Sequence, residues 1–582
     1  MEPLNMRQGP EERVHRSRVC DNCIRQKVRC DFGKPGCSRC IERGLPCTYS
    51  LVRRKPGPTP GSRRRGGPHI NRAAPDPVDN RALPAVEVLP SRLSSSVETI
   101  GPTCTDDSHA SLIESPSITP QEEDSLLAWY FGNLHKAIPL FVVDSPSSGL
   151  EPAKTVAGCS RDLIETIAVI SAKLSRNELS AVTEDVLNAQ IDKMLGAASL
   201  HEDINDNCTD LDHFRQSCIL VFYEYHQCPG KQAWMRLGKL VRSAYWVGLD
   251  RIDKMYETFP QWRAMTEVQL EEWRLVWWCI YCLDSYANLS SGMPYGIDER
   301  LINTVLPGGK SGENHQSKAL PSEPDGLVQL MRTTVAQSPP DAGAIEIQII
   351  SMTILRHVGR AIQLHVVAKL DELGMFIRNT EQQLSALRLV LPSNFFNPSR
   401  NAFVSETTVS HHFRLVTVHH ILMAQMLISI GHCRLLDEGE EWLCCWQRVL
   451  ELCQDVAAIE SQWKREFCSR VDPALCIIGF VSLIFLDLQL KWAAALEADA
   501  TILALKSNIQ HCQTIILLFL ENFAEIWTLP RLLILSFKAF KEALPSSIGC
   551  SQVQALLRCF ESPLHPRWLT FLQSELNLEG CS

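Results

Sequence analysis

Several features that would assign a familiar class of activity are missing from this sequence of 582 residues. No glycine loop for nucleotides, Ser–His–Asp order or metalloprotease motif stands out, so the sequence does not predict an enzyme. No stretch offers the roughly 20 apolar residues of a membrane helix, and residues 1–18 lack the apolar core of a secretory signal. The nearest candidate for such a helix, 474–486, is too short, is followed at once by Asp487 and is interpreted as a buried core helix. We therefore expect reduced thiols, a cytosolic or nuclear setting and no membrane partner.

The alternation typical of strands and any repeat of fixed period are also missing. From about residue 121 onward, apolar residues recur at steps of three and four, as in Trp273, Val276, Trp277 and Ile280. This spacing predicts a large all-helical body whose apolar stripes face a core. Prolines and glycines over 307–342 predict a loop there. The predicted helical segments are 161–176, 211–225, 234–245, 266–290, 345–375, 407–431, 440–463, 472–498, 501–528 and 548–562.

The chain as a whole has no excess of basic residues, but residues 1–70 do. The net charge is −9, which by itself argues against a polyanionic partner. Residues 1–70, however, carry 16 Lys or Arg and 6 Asp or Glu, a net charge of +10, while the remainder has 41 basic and 60 acidic residues, a net charge of −19. This asymmetry indicates a basic module attached to an acidic body.

Cysteine is plentiful but unevenly placed. Six of the 23 cysteines follow the spacing C-x2-C-x6-C-x6-C-x2-C-x6-C, which duplicates C-x2-C-x6-C. One tetrahedral zinc would leave two thiolates unused, whereas two zinc ions need eight metal–sulfur bonds, which six thiolates supply if two of them bridge both metals. Cys20 and Cys37 occupy equivalent positions in the two halves and fit the bridging role. The predicted ligands are Cys20, Cys23, Cys30, Cys37, Cys40 and Cys47.

The filled coordination shell predicts a structural rather than a catalytic site. A module of about 30 residues with almost no apolar core is expected to fold only when metal is bound. An iron–sulfur centre is an alternative, because thiolates also bind iron, but the duplicated spacing and the basic residues between the cysteines fit it poorly. A disulfide scaffold conflicts with the expected reducing compartment.

The residues around these cysteines carry a specific resemblance. They are Cys20-Asp21-Asn22-Cys23, Lys27, Arg29-Cys30-Asp31, Lys34-Pro35, Cys37-Ser38-Arg39-Cys40 and Cys47-Thr48-Tyr49. Together they resemble the fungal binuclear zinc-cluster transcription factors. The resemblance implies that two short helices surround the metals and that the first, here 24–30, enters the DNA major groove at CGG-type triplets.

By the same resemblance Lys27 is the base-contacting residue, and a lysine can donate to guanine O6 and N7. Arg25 and Arg29 would then hold phosphates. The sequence departs from the family at two positions that are usually basic and are Ile24 and Gln26 here. Two phosphate contacts are therefore either missing or supplied instead by Arg16, Arg18 or Arg25.

A basic segment follows the cysteines. Arg53-Arg54-Lys55 and Arg63-Arg64-Arg65 flank a Pro- and Gly-rich stretch. Beside a zinc cluster, we interpret these runs as contacts to the DNA backbone and a nuclear localisation signal rather than a merely solvated charge run. Residues 51–120 contain too many Pro and Gly for the heptads of a coiled coil. We therefore expect a monomer on DNA or a dimer formed through the helical body.

Three further segments, 124–140, 233–250 and 272–307, are similar to the middle region of the same family. That similarity implies an all-helical regulatory domain with a role in inhibition, effector response or partner contact. The expected protein partners are transcription machinery or co-regulators. The adjacent pairs His411-His412 and His419-His420 are expected to be surface or capped histidines rather than metal ligands.

The sequence thus predicts a small two-zinc module joined by a disordered, basic linker to a large all-α regulatory domain. The predicted divisions are a polar arm (1–19), the DNA-binding zinc cluster (20–50), the linker (51–120) and the regulatory domain (121–582). The protein is expected to be a nuclear, zinc-dependent regulator of RNA polymerase II transcription that binds double-stranded DNA. Secondary-metabolite gene clusters are the favoured targets. The alternatives are a regulator of nutrient use, a scaffold whose cluster binds protein, and an enzyme that uses the cluster only for targeting.

Overall fold

A computed structural model gives the architecture, and the chain divides into two units, Met1–Ser108 and His109–Ser582. Within the described part of the first unit there are two short helices, α1 (Asp21–Gln26) and α2 (Ser38–Glu42). No strand occurs among the described residues of either unit. Most of the predicted linker lies outside them. The described residues are 20–26, 28–31, 33, 35–48, 118–143, 152–176, 182–200, 210–308, 318–321, 324–337, 344–365, 370–401, 406–496 and 499–559.

The second unit is built from α-helices with a few short 3-10 turns. Its helices are α3 (Pro120–Gly132), α4 (Leu134–Ala137), α5 (Pro152–Thr155), α6 (Arg161–Ser175), α7 (Glu184–Leu200), α8 (Leu211–Gln227), α9 (Lys231–Val247), α10 (Ile252–Thr258), α11 (Pro260–Arg263), α12 (Glu267–Ser291), α13 (Pro324–Gln337), α14 (Ala344–His365), α15 (Leu370–Val390), α16 (Thr408–Leu435), α17 (Glu440–Glu460), α18 (Cys476–Ala494), α19 (Ala500–Ala524), α20 (Thr528–Ala543) and α21 (Cys550–Cys559). The predicted all-helical body is confirmed for the described residues.

One continuous hydrophobic core runs through this body, from α3 to α21. Helix α12 lies near its centre and packs against α8, α9 and α14. The stripe predicted from the sequence is buried, since Trp273 is 3% exposed and Val276 and Trp277 are fully buried. The apolar period of the sequence therefore identified the inward face of this helix correctly.

Capping residues fix the starts of α3 and α12, and a glycine fixes the end of α12. Thr119 caps α3 and Thr266 caps α12, each in a reciprocal arrangement with a side chain three residues later. Such capping boxes satisfy backbone N–H groups that the first turn leaves without partners. Gly292 ends α12 with φ of 64°, a left-handed conformation that glycine adopts without a Cβ penalty. The predicted segment 266–290 thus ends close to where the glycine stops the helix.

The prediction of a loop over 307–342 is wrong in part, because α13 occupies its centre. Pro324 stands at the first position of this helix, where its missing N–H costs nothing. Leu327 and Met331, one turn apart, are buried in the core. One proline of this stretch, Pro324, therefore begins a helix. Interpreting every proline here as a loop residue concealed the apolar stripe that Leu327 and Met331 form.

Two helical segments are long and apolar enough to cross a membrane by length and composition alone, Thr408–Leu435 and Pro473–Ala494. The expectation that no stretch reaches this length is corrected accordingly. In the structure, 89% and 94% of their apolar windows are buried inside the protein. The interpretation of 474–486 as a core helix is confirmed by this packing.

The four paired histidines of α16 are buried, so the expectation of surface histidines is corrected. His411 and His412 bond to the carbonyls of Pro398 and Thr408, and His420 lies between Tyr286 Oη at 2.6 Å and Ser351 Oγ at 2.8 Å. Each of the four rings thus has at least one hydrogen-bond partner in the protein, which for His419 is the Leu415 carbonyl, and this agrees with the capped alternative. No metal-binding group includes them within the described part of the chain.

His419 faces another buried group, because its Nε2 lies 3.5 Å from Glu460 Oε1 and both side chains are fully buried. Burial raises the pKa of Glu460, and the neighbouring His419 opposes that shift. Gly479 makes room for the carboxyl group, since a Cβ at this position would lie 2.8 Å from Glu460 Oε1. Three helices therefore meet at this pair.

A buried arginine organises the turn that follows α12. The side chain of Arg356, on α14, is fully buried. Its Nη1 donates to Asp284 Oδ2 and to Ser285 Oγ, each at 2.9 Å, and its Nη2 donates to the carbonyl of Ile297. The guanidinium also lies 4.0 Å from the ring centroid of Tyr295. Residues far apart in sequence thus meet around one cation.

Two carboxylates complete this cluster. Asp284 also accepts the backbone N–H groups of Gly296 at 2.9 Å and Ile297 at 3.1 Å. Glu299 pairs with Arg360 at 2.6 Å and with His357 at 3.1 Å. Burial alone would raise the pKa of Glu299, but the hydrogen bond from His357 and the nearby arginines outweigh it and lower that pKa to about 2. The carboxylate is therefore held ionised against the guanidinium groups.

Candidate metal centre and nucleic-acid interface

The first unit brings all six predicted cysteines together. Their sulfur atoms form two sets of four, and within each set all sulfurs lie within 4.8 Å of one another. Cys20 and Cys37 belong to both sets. The first set is completed by Cys23 and Cys30, and the second by Cys40 and Cys47.

The distances between sulfurs fit tetrahedral zinc. Zinc–thiolate bonds of about 2.3 Å place neighbouring sulfurs of a tetrahedron about 3.8 Å apart. The observed separations are 3.7 Å for Cys20–Cys37 and 3.8 Å for both Cys20–Cys40 and Cys23–Cys37. A disulfide would need about 2.05 Å. The donor set and its spacing therefore suit two metals that share an edge, and not a disulfide scaffold.

Backbone and amide N–H groups surround the sulfurs. The N–H of Cys23 donates to Cys20 Sγ at 3.5 Å, and that of Cys37 donates to Cys47 Sγ at 3.3 Å. Asn22, buried on α1, donates from Nδ2 to Cys40 Sγ at 3.7 Å. Hydrogen bonds of this kind orient metal ligands and stabilise their negative charge. Asn22 also ties the first half of the repeat to the second.

The first helix differs from the helix implied over 24–30. It begins at Asp21 and ends at Gln26, and residues 28–30 are not helical. The sulfur of Cys20 accepts the N–H of Cys23 three residues on, the role a Ser or Thr oxygen plays at a helix N-terminus. The hydrogen bond to Cys20 Sγ thus favours a helix start at Asp21, before the implied start at Ile24. The helix ends at Gln26, and the chain returns to the cluster at Cys30.

Asp31 joins the two halves a second time. Its carboxylate accepts the backbone N–H of Ser38 at 3.1 Å and also the Ser38 hydroxyl. These hydrogen bonds, the hydroxyl first, lower the pKa of Asp31. Ser38 is the first residue of α2, so Asp31 supplies the N-terminal acceptor that Cys37, the cap residue, does not provide.

Asp31→Ala is expected to lower the zinc affinity of the full chain by about two- to tenfold, because lost helix capping weakens folding that is coupled to metal binding. Competition with a chromogenic chelator measures the change. Glu42→Ala removes an exposed carboxylate from the same helix and is the matched control. Equal zinc retention by the two variants would contradict the capping role.

Burial raises the pKa of the Cys20 and Cys37 thiols above the ordinary value. Without a cation, such crowded sulfurs favour the protonated form. A metal reverses that preference, because coordinated thiols lose their protons. Two zinc ions would supply the charge that lets six sulfurs remain this close.

The structure describes few of the predicted DNA contacts. Arg29 is exposed, and Arg25 lies on α1, although its side chain is not described. Lys27, the implied base-contacting residue, lies outside the described residues. So do the other basic residues of the predicted interface and localisation signal, namely Arg16, Arg18, Arg53, Arg54, Lys55, Arg63, Arg64 and Arg65.

Sequence reasoning passed over Asn22 and Asp31 as functional residues. Both stand next to cysteines in the segments that carry the resemblance, so their position was the available signal. Their partners, Cys40 and Ser38, lie 18 and 7 residues away. Spacing between cysteines alone does not reveal such contacts between the halves.

A thiolate cluster that suits two metals, in a chain that also carries a large helical unit, defines a class of gene regulator, and comparison with known families agrees. The family model described as "Fungal Zn(2)-Cys(6) binuclear cluster domain" matches residues 18–56. The model described as "Fungal specific transcription factor domain" matches residues 130–391. The chain belongs to the fungal binuclear zinc-cluster transcription factors, whose cluster domain binds two zinc ions through six cysteines.

Individual relatives are more distant. The chain is 23% identical over 339 residues to the citrinin biosynthesis transcriptional activator mrl3 of Monascus ruber, covering 51% of this chain and 64% of that protein. It is 23% identical over 367 residues to the Zn(2)-C6 fungal-type transcription factor FTF1c of Fusarium oxysporum f. sp. lycopersici, covering 51% of this chain and 37% of that protein. The chain thus spans less than two thirds of the length of either relative.

A shorter match is closer in sequence. Over 75 residues the chain is 43% identical to the aflatoxin biosynthesis regulatory protein of Aspergillus flavus, covering 13% of this chain and 14% of that protein. No solved structure matches the chain.

Proposed function

We propose that this protein is a sequence-specific, zinc-dependent regulator of RNA polymerase II transcription that recognises CGG-like half-sites through residues 20–50. The observation that carries the proposal is the pair of four-sulfur sets sharing Cys20 and Cys37. In this assignment those two thiolates would bridge the metals, and Cys23, Cys30, Cys40 and Cys47 would each hold one metal. The zinc ions supply folding energy to the module and no catalytic step.

The module presents its DNA-reading side on and after α1. Lys27 reads guanine in the major groove, while Arg25 and Arg29 bind phosphates and set the register. Arg16 and Arg18 before the cluster, and the basic runs at 53–55 and 63–65 after it, add sequence-independent affinity. The net charge of +10 on residues 1–70 favours this partner.

The names of the relatives suggest the kind of target gene. Two of them are regulators of citrinin and aflatoxin biosynthesis, and another is a pigment biosynthesis transcriptional activator of Monascus ruber. We infer that this chain controls a secondary-metabolite gene cluster in the nucleus rather than a nutrient pathway. Residues 51–120 act as the linker, and 121–582 act as the regulatory domain, which offers contacts to co-regulators and, if the protein dimerises, the dimer interface.

Lys27→Ala is expected to weaken specific DNA binding by about tenfold or more, because a lysine–guanine contact in the major groove is worth about 1–3 kcal/mol of discrimination. The full, zinc-loaded chain is first used to select sites from random DNA. Electrophoretic mobility shift of the selected site then compares the variant with the wild type.

Arg43→Ala provides the matched control, since Arg43 is exposed in the second half of the module. It should weaken specific and non-specific binding alike and by less. Wild-type binding by Lys27→Ala would refute the base contact. If the binding of DNA did not weaken as the salt concentration rises, the alternative would be favoured, namely that the cluster binds protein and not DNA.

A further inference from the structure

A small cavity lies where three long helices of the second unit meet a short helix and a connecting segment. The long helices are α12, α14 and α16, the short helix is α4, and the segment is 470–475, between α17 and α18. The cavity encloses about 50 Å³. Pockets for drug-sized ligands are usually about 300–1,000 Å³, whereas one water needs about 10–15 Å³. The space therefore suits a small organic molecule or a few waters.

Two cations line this cavity without a counter-ion. Lys136 of α4 stands exposed at its rim, and Arg470 is half-buried beside it. Partial burial and, next, the positive charge of Arg470 lower the pKa of Lys136. Arg470 donates from Nε to Asn133 Oδ1 at 3.4 Å, which leaves its Nη groups for another acceptor. Within the described part of the chain, no carboxylate pairs with either cation.

One acidic residue, Asp472, also lines the cavity, but its carboxylate has other partners. Its Oδ1 lies 2.9 Å from Nε2 of the fully buried His226 and accepts the N–H of Ala474 at 2.8 Å. Even if His226 is neutral, the two cations outnumber this carboxylate by one. The lining therefore keeps a positive charge that a bound anion would balance.

The inner wall of the cavity is apolar and carries no further charge. Met352, Val416 and Leu475 line it and are buried. The polar residues at this end are already joined, because Tyr286 Oη lies 2.6 Å from His420 Nε2. Burial lowers the pKa of His420 to about 3, so this ring stays uncharged near neutral pH. The cavity thus has a cationic rim and an apolar interior.

We propose that this cavity binds a small carboxylate that carries a short apolar tail. The carboxylate accepts hydrogen bonds from Lys136 Nζ and from the Nη groups of Arg470, since a guanidinium fork fits the two oxygens of a carboxylate. The tail lies against the apolar inner wall. A neutral ligand would leave the two cations unbalanced, and an inorganic anion would leave the apolar wall without a contact. No residue of the zinc module takes part, so this site is independent of the DNA-binding assignment.

Melting of the full, zinc-loaded chain in the presence of sodium propionate, followed by tryptophan fluorescence at constant ionic strength, tests the proposal. A ligand of the folded state raises the melting temperature as its site fills. Propionate should do so saturably. Propionamide, which is similar in shape but uncharged, and inorganic phosphate should bind at least tenfold more weakly. The Lys136→Gln/Arg470→Gln variant should also lose at least tenfold in propionate affinity, because hydrogen bonds to charged groups are lost.

The matched control is Lys538→Gln/Arg448→Gln, which removes an exposed lysine and a half-buried arginine outside the lining and should bind propionate as the wild type does. Ala137→Leu adds bulk to the lining while both cations remain, and should weaken propionate binding by at least tenfold. Circular dichroism verifies that each variant is folded. Unchanged binding by Lys136→Gln/Arg470→Gln or by Ala137→Leu would overturn the proposal. So would propionamide or phosphate binding as tightly as propionate.

Discussion

Cys20→Ala is expected to disrupt both zinc sites of the chain, whereas Cys47→Ala should leave one site complete. Cys20 belongs to both sets of four sulfurs, so its loss leaves three thiolates for each metal. Cys47 belongs to one set, and its loss leaves Cys20, Cys23, Cys30 and Cys37 in place. Since structural zinc contributes about 10–16 kcal/mol of apparent binding energy near neutral pH, the two variants should differ greatly in zinc retention.

Native mass spectrometry of the full chain gives the number of zinc ions per molecule. Two ions are expected for the wild type, one for Cys47→Ala, and none after dialysis against a weak chelator for Cys20→Ala. Cys444→Ala removes an exposed thiol from α17 and should retain both ions. The same zinc content in Cys20→Ala and Cys47→Ala would refute the bridging assignment.

Arg356→Ala is expected to lower the free energy of unfolding of the helical body by about 3–5 kcal/mol. The change leaves the carboxylates of Asp284 and Glu299 buried without their central cation. It also removes the donor to the Ile297 carbonyl, which anchors the turn after α12. Urea denaturation followed by tryptophan fluorescence measures the shift in midpoint.

Arg300→Ala is the matched control for this prediction. Arg300 lies beside Glu299 in the same turn, pairs with Asp298 at 2.7 Å, and has a side chain that is 70% exposed. An exposed pair of this kind contributes between 0 and 1 kcal/mol. If Arg356→Ala were no less stable than Arg300→Ala, the buried cluster would not be what holds the turn.

The duplicated cysteine spacing made the metal centre the most predictable part of the molecule. Counting bonds required two shared thiolates, and symmetry placed one in each half, at Cys20 and Cys37, which are the two cysteines that belong to both four-sulfur sets. The ends of α1 were harder to predict from the sequence. The sulfur of Cys20 caps its first turn by accepting the N–H of Cys23, and helix propensities do not include a cap of this kind.

In the helical body, apolar periodicity predicted ten helical segments and the inward face of α12. It missed α7 and α20 and merged α14 with the start of α15. It also failed at α13, where Pro324 concealed a helix start, and at the buried histidines of α16, whose polarity suggested the surface. The partnership of Arg356 with Asp284 spans 72 residues. A pairing of this kind leaves no local signal, because it depends on how α12 and α14 pack.

The turn after α12 is organised in the way that a calcium-binding loop is, with an internal ligand in place of the ion. Carboxylates of Asp284 and Glu299 and the carbonyl of Ile297 surround a positive centre, as oxygen ligands surround Ca²⁺. Here the cation is covalently part of the chain and arrives with α14. The cation that orders this turn is therefore a side chain of α14 and not a bound ion. A shift of α14 away from α12 would leave the carboxylates of Asp284 and Glu299 without their central counter-charge.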